Sequence, residues 1–242
     1  FGSVDVVAAF EKLTGIKVNY TTYDSNESLY AKLKSGGVSY DVIFPSDYMV
    51  GKMAKEGMLS ELNMDNIPNF AGIGETYLDR SFDPGNKYSV PYMWGTAGIL
   101  FNKKFITAEE ADTWDILWDS KNRGKILMKD SYRDAYGTAI IYAHARELAD
   151  RTVTVEQLMN DNSPQAIALA EQRLKEMKPN IAGWEADFGK EMMTKNKAWI
   201  NFTWSGDAVW AIEEADAVGV ELDYTVPCEG SNIWYDGWVI PN

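Results

Sequence analysis

Two kinds of segment succeed one another along this chain. In one kind apolar and polar residues alternate, and in the other the apolar residues recur at helical spacing. Alternation at period two predicts strands, and recurrence every three to four residues predicts amphipathic helices. The predicted order over the first quarter is a helix over 4–13 that ends at Thr14-Gly15, a strand over 16–21, a helix from an Asp24 or Ser25 cap to about Lys34, a strand over 41–44, and a helix that Pro45-Ser46-Asp47 opens, with Ser46 as its cap, and Gly57 ends. This order predicts an α/β protein.

The same succession continues to the C-terminus. The predicted elements are two strands on either side of Gly95-Thr96 within 87–101, helix-rich stretches over 107–146 and 154–178, strands over 198–202, 222–226 and 231–241, and a helix capped by Ser205 that ends near Glu214. The sequence contains no low-complexity tract and no Ser/Pro-rich linker. The two halves are therefore predicted to be lobes that ordered strands join.

The charge and the rare residues exclude several classes of function. Lys and Arg number 23 against 36 Asp and Glu, which gives a net charge of −13. This balance lacks the basic surface that nucleic acids and anionic lipids require. Cys228 is the one cysteine and His144 the one histidine, so an intrachain disulfide, a cysteine metal cage and an HExxH zinc motif are excluded. No nucleophile or phosphate-loop motif occurs. We therefore expect no enzyme activity, no cofactor and no metal site.

Aromatic residues concentrate where predicted elements begin and end. The chain has 9 Trp, 13 Tyr and 9 Phe, more than a core of this size requires. Ser46 and Tyr48 follow a predicted strand at the start of a helix, where open α/β sheets bind ligands. Trp234, Asp236 and Trp238 alternate along the last strand and so share one face. A carboxylate between two indole rings suits an external cation, although a structural ion pair among core aromatics explains it too.

Two other functions fit part of this pattern. Aromatic platforms beside carboxylates also suit a carbohydrate-binding protein or a glycosidase. The helix caps at Ser46 and Ser205 could attract an anion, but Asp47, Asp134, Asp207 and Asp236 oppose that reading.

Several spaced motifs resemble one known family. They are Thr21-Thr-Tyr-Asp-Ser-Asn-Glu-Ser-Leu-Tyr-Ala-Lys-Leu33, Tyr40-Asp-Val-Ile-Phe-Pro-Ser-Asp-Tyr-Met49, Val90-Pro-Tyr-Met-Trp-Gly-Thr96, Gly124-Lys-Ile-Leu-Met128, Trp204-Ser-Gly-Asp-Ala208 and Glu229-Gly-Ser-Asn-Ile-Trp-Tyr-Asp236. In this order they resemble the spermidine/putrescine-binding proteins of bacterial ABC importers. The resemblance covers nearly the whole chain.

The resemblance implies a two-lobed type II periplasmic-binding-protein fold with crossing hinge strands. We expect residues 1–98 and 235–242 to form the first lobe and 99–234 the second. The polyamine, putrescine or spermidine, would bind in the cleft between them. The roles implied for the ligand-binding residues are contact by Ser46 and Tyr48, stacking by Trp204 and Trp234, and pairing of Asp134 and Asp236 with the amines of the ligand.

The resemblance also implies an extracytoplasmic protein, periplasmic or anchored as a lipoprotein to the outer face of the membrane, that delivers its ligand to a membrane permease. Three departures stand out. Ser131 occupies a position that is often acidic in the family's spermidine binders, and Trp184 and Trp238 are unexpected. The family's first strand and C-terminal segment have no counterpart, so we expect an incomplete first lobe.

Overall fold

A computed structural model of the protein describes residues 5–186 and 188–242. The contacts between residues divide the chain into two compact units. The first extends to Tyr92 and includes Asp236–Asn242, and the second is Met93–Tyr235. The chain passes between the units within the strands Val90–Asn102 and Ile233–Trp238. The lobe boundaries expected from the sequence stay a prediction.

Helices in the first unit begin where local hydrogen bonding favours them. They are α1 (Val6–Thr14), α2 (Asn26–Lys34) and α3 (Asp47–Lys55), followed by short 3₁₀ helices at Met64–Asn66, Pro68–Gly72, Glu75–Tyr77 and Pro84–Asn86. The Ser25 hydroxyl accepts a hydrogen bond from the Ser28 N–H, and Ser28 reciprocates, which forms a capping box for α2. Gly15 ends α1 in the left-handed conformation at φ 75°. These helices agree with the sequence prediction.

Two strands predicted for the first unit do not form. Residues 16–21 carry no strand pairing and are exposed except for the half-buried Val18. Residues 41–44 contribute only an isolated antiparallel bridge, between Ile43 and Val239. Each of these two residues donates its N–H to the carbonyl of the other at 3.0 Å. A strand is stable only with a neighbour for its hydrogen bonds, and alternation alone does not supply one.

The remaining elements follow in order from β1. They are β1 (Val90–Asn102), α4 (Ala108–Ala111), α5 (Asp115–Trp118), β2 (Ile126–Lys129), α6 (Tyr132–Ala143), α7 (Ala145–Ala149), α8 (Val155–Asn160), α9 (Pro164–Met177), β3 (Ile181–Glu185), α10 (Gly189–Thr194), β4 (Ile200–Trp204), α11 (Ser205–Asp216), β5 (Leu222–Thr225) and β6 (Ile233–Trp238), with 3₁₀ turns at Ser120–Asn122 and Lys178–Asn180. In the part of the chain that is described, no helix is both long and apolar enough to cross a bilayer.

A mixed sheet forms the centre of the second unit. Its strand order is β3-β2-β4-β1-β5, and β6 pairs with β1. The strand β2 runs parallel to β3 and β4, whereas β1 runs antiparallel to β4 and β5. Alternate residues bury opposite faces: Phe101, Met128 and Phe202 join a core with α5 and α6, and Leu100 and Leu127 join one with α10 and α11. Both faces of the sheet are therefore covered by helices, as in other α/β folds.

Three features of this sheet differ from the sequence prediction. Gly95-Thr96 does not divide two strands, because β1 continues through it. The strand β2 lies inside a stretch predicted to be helix-rich, and β3 was not predicted. Every residue of β2 is buried. A fully buried strand has no alternation, and a short apolar run cannot be distinguished from a helix by periodicity.

Candidate ligand-binding site

An antiparallel contact in the first unit brings Asp236 to Ser46. The two residues form an isolated bridge beside that of Ile43 and Val239. Burial raises the pKa of the half-buried Asp236 carboxyl group above its usual value. A hydrogen bond from the Ser46 side chain to the carboxylate lowers this pKa, but by less than burial raises it. Among residues 5–186 and 188–242, no lysine, arginine or histidine forms an ion pair with Asp236. A partly desolvated carboxylate thus lacks a counter-charge there.

Several aromatic rings of the first unit cluster near this carboxylate, and Tyr23 and Tyr92 are close enough to sense its charge. The Trp238 ring centroid lies 4.1 Å from that of Phe44 and 5.1 Å from that of Tyr92. The Tyr23 hydroxyl donates to the Phe44 carbonyl oxygen at 2.5 Å. Burial raises the pKa of Tyr23 to about 12, and the nearby Asp236 charge adds to this shift. Burial also raises the pKa of Tyr92, with smaller contributions from Tyr20 and then from Asp236.

Ser46 does not cap α3, contrary to the prediction. It occupies the N-cap position, but its side chain makes no capping hydrogen bond. The Ser46 hydroxyl is instead directed to Asp236 and accepts from Asn26 Nδ2 at 3.0 Å, while the Ser46 N–H donates to Asn26 Oδ1 at 3.1 Å. The Tyr48 hydroxyl donates to Glu27 Oε1 at 2.8 Å. The first turn of α2 therefore supports both predicted ligand contacts through Asn26 and Glu27, neither of which was predicted from the sequence.

Asp134 and Trp204 meet in the second unit. Trp204 ends β4, and its Nε1–H donates to Asp134 Oδ2 at 3.0 Å. Asp134 lies in the first turn of α6 and is only 7% exposed. No ion pair joins Asp134 to a basic residue of the described ranges. The Trp204 indole therefore positions this carboxylate.

The third predicted residue of the second unit, Trp234, packs against the middle of β1. Its Nε1 is buried, and no partner for it exists among the residues that the structure describes. Ser205, predicted to cap α11, is the first helical residue instead, and Trp204 is the N-cap. The Ser205 hydroxyl oxygen accepts a hydrogen bond from the Thr96 N–H of β1 at 3.2 Å and not from the N–H groups of α11.

A cavity of about 320 Å³ opens at the end of β2 and the start of α6. Its lining residues are Asp130, Ser131, Tyr132, Ala135 and Trp184. Trp184 lies on β3 opposite Met128 and is 40% exposed. The carboxyl ends of parallel strands are the usual edge for ligands in α/β sheets. Trp184, unexpected from the resemblance, therefore lines a pocket next to the turn that carries Asp134.

The structure thus groups the predicted residues by unit. The first unit holds Ser46, Tyr48 and Asp236, and the second holds Asp134, Trp204 and Trp234. Within the described residues, no cluster of His, Cys, Asp and Glu could hold a metal ion. Each unit offers a carboxylate without a basic partner next to aromatic rings, a combination that suits an organic cation. Their joint contact with one ligand stays a prediction.

Comparison with known proteins relates the chain to transport proteins. Residues 5–242 match the family described as bacterial extracellular solute-binding protein. The chain is 34% identical over 233 residues to the spermidine/putrescine-binding periplasmic protein of Escherichia coli K12, covering 96% of this chain and 62% of that protein. It is 30% identical over 247 residues to the putrescine-binding periplasmic protein SpuD of Pseudomonas aeruginosa, covering 98% and 65%. The chain therefore spans less than two thirds of the length of these relatives.

Solved structures share the fold. A putative spermidine/putrescine ABC transporter from Listeria monocytogenes matches with a TM-score of 0.85 and 35% identity, covering 98% of this chain and 68% of that one. The Tp0655 (TpPotD) lipoprotein of Treponema pallidum matches with a TM-score of 0.82 and 26% identity, covering 98% and 70%. These matches confirm the mixed α/β fold expected from the resemblance.

Proposed function

This chain belongs to the bacterial extracellular solute-binding protein family, and from that premise we propose that it captures a polyamine, putrescine or spermidine, for an ABC importer. The observation that carries the proposal is Asp236. Its carboxylate is half-buried among aromatic side chains, and no basic residue of the described chain pairs with it. An ammonium group from a ligand would supply the missing charge and recover the cost of burial.

We assign the other end of the ligand to residues of the second unit. Asp134 would pair with a second ammonium, while Trp204 and Trp234 would cover the methylene chain. Charge-assisted bonds fix the two ends of such a ligand, and indole faces attract both its cationic and its apolar parts. Ser46 and Tyr48 would orient the end held by Asp236. This division of roles fits a flexible dication better than a compact ion.

The named relatives are periplasmic binding proteins, and they support a proposal for location and partners. We extend to this chain an extracytoplasmic location and delivery of the ligand to a membrane permease. We further propose that it releases its ligand unchanged and is not an enzyme.

Calorimetric titration tests the proposal with putrescine, spermidine, butane-1,4-diol, maltose and phosphate at low and high salt. We expect both amines to bind and to bind more weakly at high salt, since screening weakens ionic contacts. Butane-1,4-diol matches putrescine in length but has no charge, and should not bind. Salt-insensitive binding of maltose, or binding of phosphate in place of the amines, would overturn the proposal in favour of a sugar or anion receptor.

The pH dependence of binding is a further expected result. Because the folded-state pKa of Asp236 is raised, the carboxyl group becomes neutral at a higher pH than a free aspartic acid. Below that pH the ligand must displace a proton, and linkage predicts that affinity falls by up to about tenfold per pH unit. Titrations of putrescine between about pH 3 and pH 7 should show this fall together with proton release. Constant affinity down to the usual aspartate pKa would contradict the assigned role.

A further inference from the structure

Lys129 is a buried lysine at the end of β2, and its ammonium is fully engaged inside the second unit. The side chain is only 2% exposed, and Nζ lies 2.7 Å from Asp207 Oδ2 and 3.1 Å from Glu185 Oε1. The ammonium also donates to the Ala186 carbonyl oxygen at 2.8 Å. Glu185 is itself fixed, because its carboxylate accepts the Gly189 N–H at 3.0 Å. The position of this positive charge is therefore set by the fold.

The Lys129 ammonium lies over a ring of the proposed site. Its Nζ is 4.6 Å from the centroid of the Trp204 ring, and the Nε1–H of the same ring donates to Asp134. The Trp204 indole thus contacts the Lys129 ammonium through its ring face and the Asp134 carboxylate through its N–H. The cation–π attraction that Trp204 offers is already used by a cation of the protein itself.

Charges around Lys129 balance. Lys190 also approaches Asp207, at 3.8 Å, so Lys129 and Lys190 offset Glu185 and Asp207. This group offers no net negative charge to a ligand. Asp134 remains as the carboxylate that touches Trp204, and one carboxylate accommodates one ammonium.

We propose that Lys129 is a specificity-determining residue that selects diamines over triamines. The inference rests on the proposed function. A diamine places its ammonium groups at its ends, so that only methylenes need stack on Trp204. A triamine carries a further ammonium along its chain, and stacking that chain on Trp204 places a second cation over a ring that already holds the Lys129 ammonium. Because Glu185 and Asp207 are already paired, this further ammonium meets no free carboxylate there and competes with Lys129 for the cation–π attraction of the ring.

The test compares the dissociation constants of putrescine and spermidine for the whole chain and its variants by calorimetry. The wild type should bind putrescine more tightly. Lys129→Met should raise the affinity for spermidine relative to putrescine by about tenfold, an effect of the size expected for one partly desolvated cation–π contact. Lys129→Arg keeps the positive charge and should preserve the wild-type preference.

Lys125→Met is the matched control. Lys125 lies over the Trp199 ring at 5.2 Å, so this variant also removes one cation from a tryptophan in the same unit, but outside the proposed site. The ratio of the spermidine and putrescine dissociation constants of this variant should stay within about twofold of the wild-type ratio. Because Lys129→Met leaves Glu185 buried without its partner, the double variant Lys129→Met/Glu185→Gln provides a neutral replacement, and circular dichroism checks its folding.

The outcomes separate the two proposals. A shifted ratio in the Lys129→Met variants alone supports the inference. An unchanged ratio, an equal shift in Lys125→Met, or a wild type that prefers spermidine overturns it while leaving polyamine binding intact. Failure of the wild type to bind either amine overturns the proposed function, and the inference with it.

Discussion

Replacing Asp236 with asparagine is expected to weaken polyamine binding severely while making the free protein more stable. The amide is nearly isosteric and retains a hydrogen-bonding oxygen for Ser46, so the change removes mainly the charge. Loss of one partner from a desolvated charge pair costs about 2–5 kcal/mol, so affinity should fall by at least about thirtyfold. Calorimetric titration of putrescine measures this loss.

The stability of the free protein should change in the opposite direction. The folded state raises the pKa of Asp236, which means that its ionised form is less favourable in the folded protein than in the unfolded chain. Wild-type stability therefore declines as the pH rises through this pKa, and Asp236→Asn removes that decline. Near neutral pH without ligand, the variant should melt at a higher temperature than the wild type, and putrescine should raise the melting temperature of the wild type alone.

Asp41→Asn is the matched control for this experiment. Asp41 is exposed and precedes the segment that carries Ser46, so the same chemical change there should alter neither affinity nor melting temperature. An Asp236→Asn variant that binds putrescine like the wild type, or that melts at a lower temperature in the free state, would remove Asp236 from its proposed role.

Helices in the first unit could be predicted because their determinants are local. The capping box of Ser25 and Ser28 lies within four residues, and Gly15 marks the end of α1 by its conformation. Strands depend on partners that are distant in sequence. Residues 16–21 have the alternation of a strand but no neighbour, whereas β2 has neighbours on both sides and no alternation.

The same distinction applies to the candidate site. The resemblance identified Ser46 and Asp236, but their contact depends on an antiparallel bridge between opposite ends of the chain. The resemblance also did not predict that the Ser46 hydroxyl hydrogen-bonds Asn26 and makes no capping hydrogen bond to α3. Lys129 shows the limit most clearly. In sequence it is an ordinary lysine before Asp130, and only the pairing of β2 with β3 brings Glu185 beside it.

Introducing a methyl group at Gly95 is expected to displace Trp234 and weaken polyamine binding. A Cβ atom at this position would lie 2.4 Å from Trp234 Cζ2 and 2.6 Å from Ser205 Oγ, closer than packed atoms approach. Because the buried Nε1 of Trp234 has no partner among the described residues, hydrogen bonding there does not hold the ring against the added group. The ring should move in Gly95→Ala, and affinity should fall by about tenfold if stacking contributes its usual 0.5–2 kcal/mol.

The expected cost to folding separates displacement of Trp234 from general loss of structure. Overpacking of this kind destabilises by about 1–3 kcal/mol, which denaturant titration measures, while tryptophan fluorescence reports the changed environment of the ring. Gly206→Ala is the matched control, since a Cβ there meets no atom within 4 Å in the first turn of α11. That variant should keep its affinity and gain up to about 1 kcal/mol in stability from helix propensity. A Gly95→Ala protein with wild-type affinity and an altered fluorescence spectrum would show that Trp234 moves without contacting the ligand.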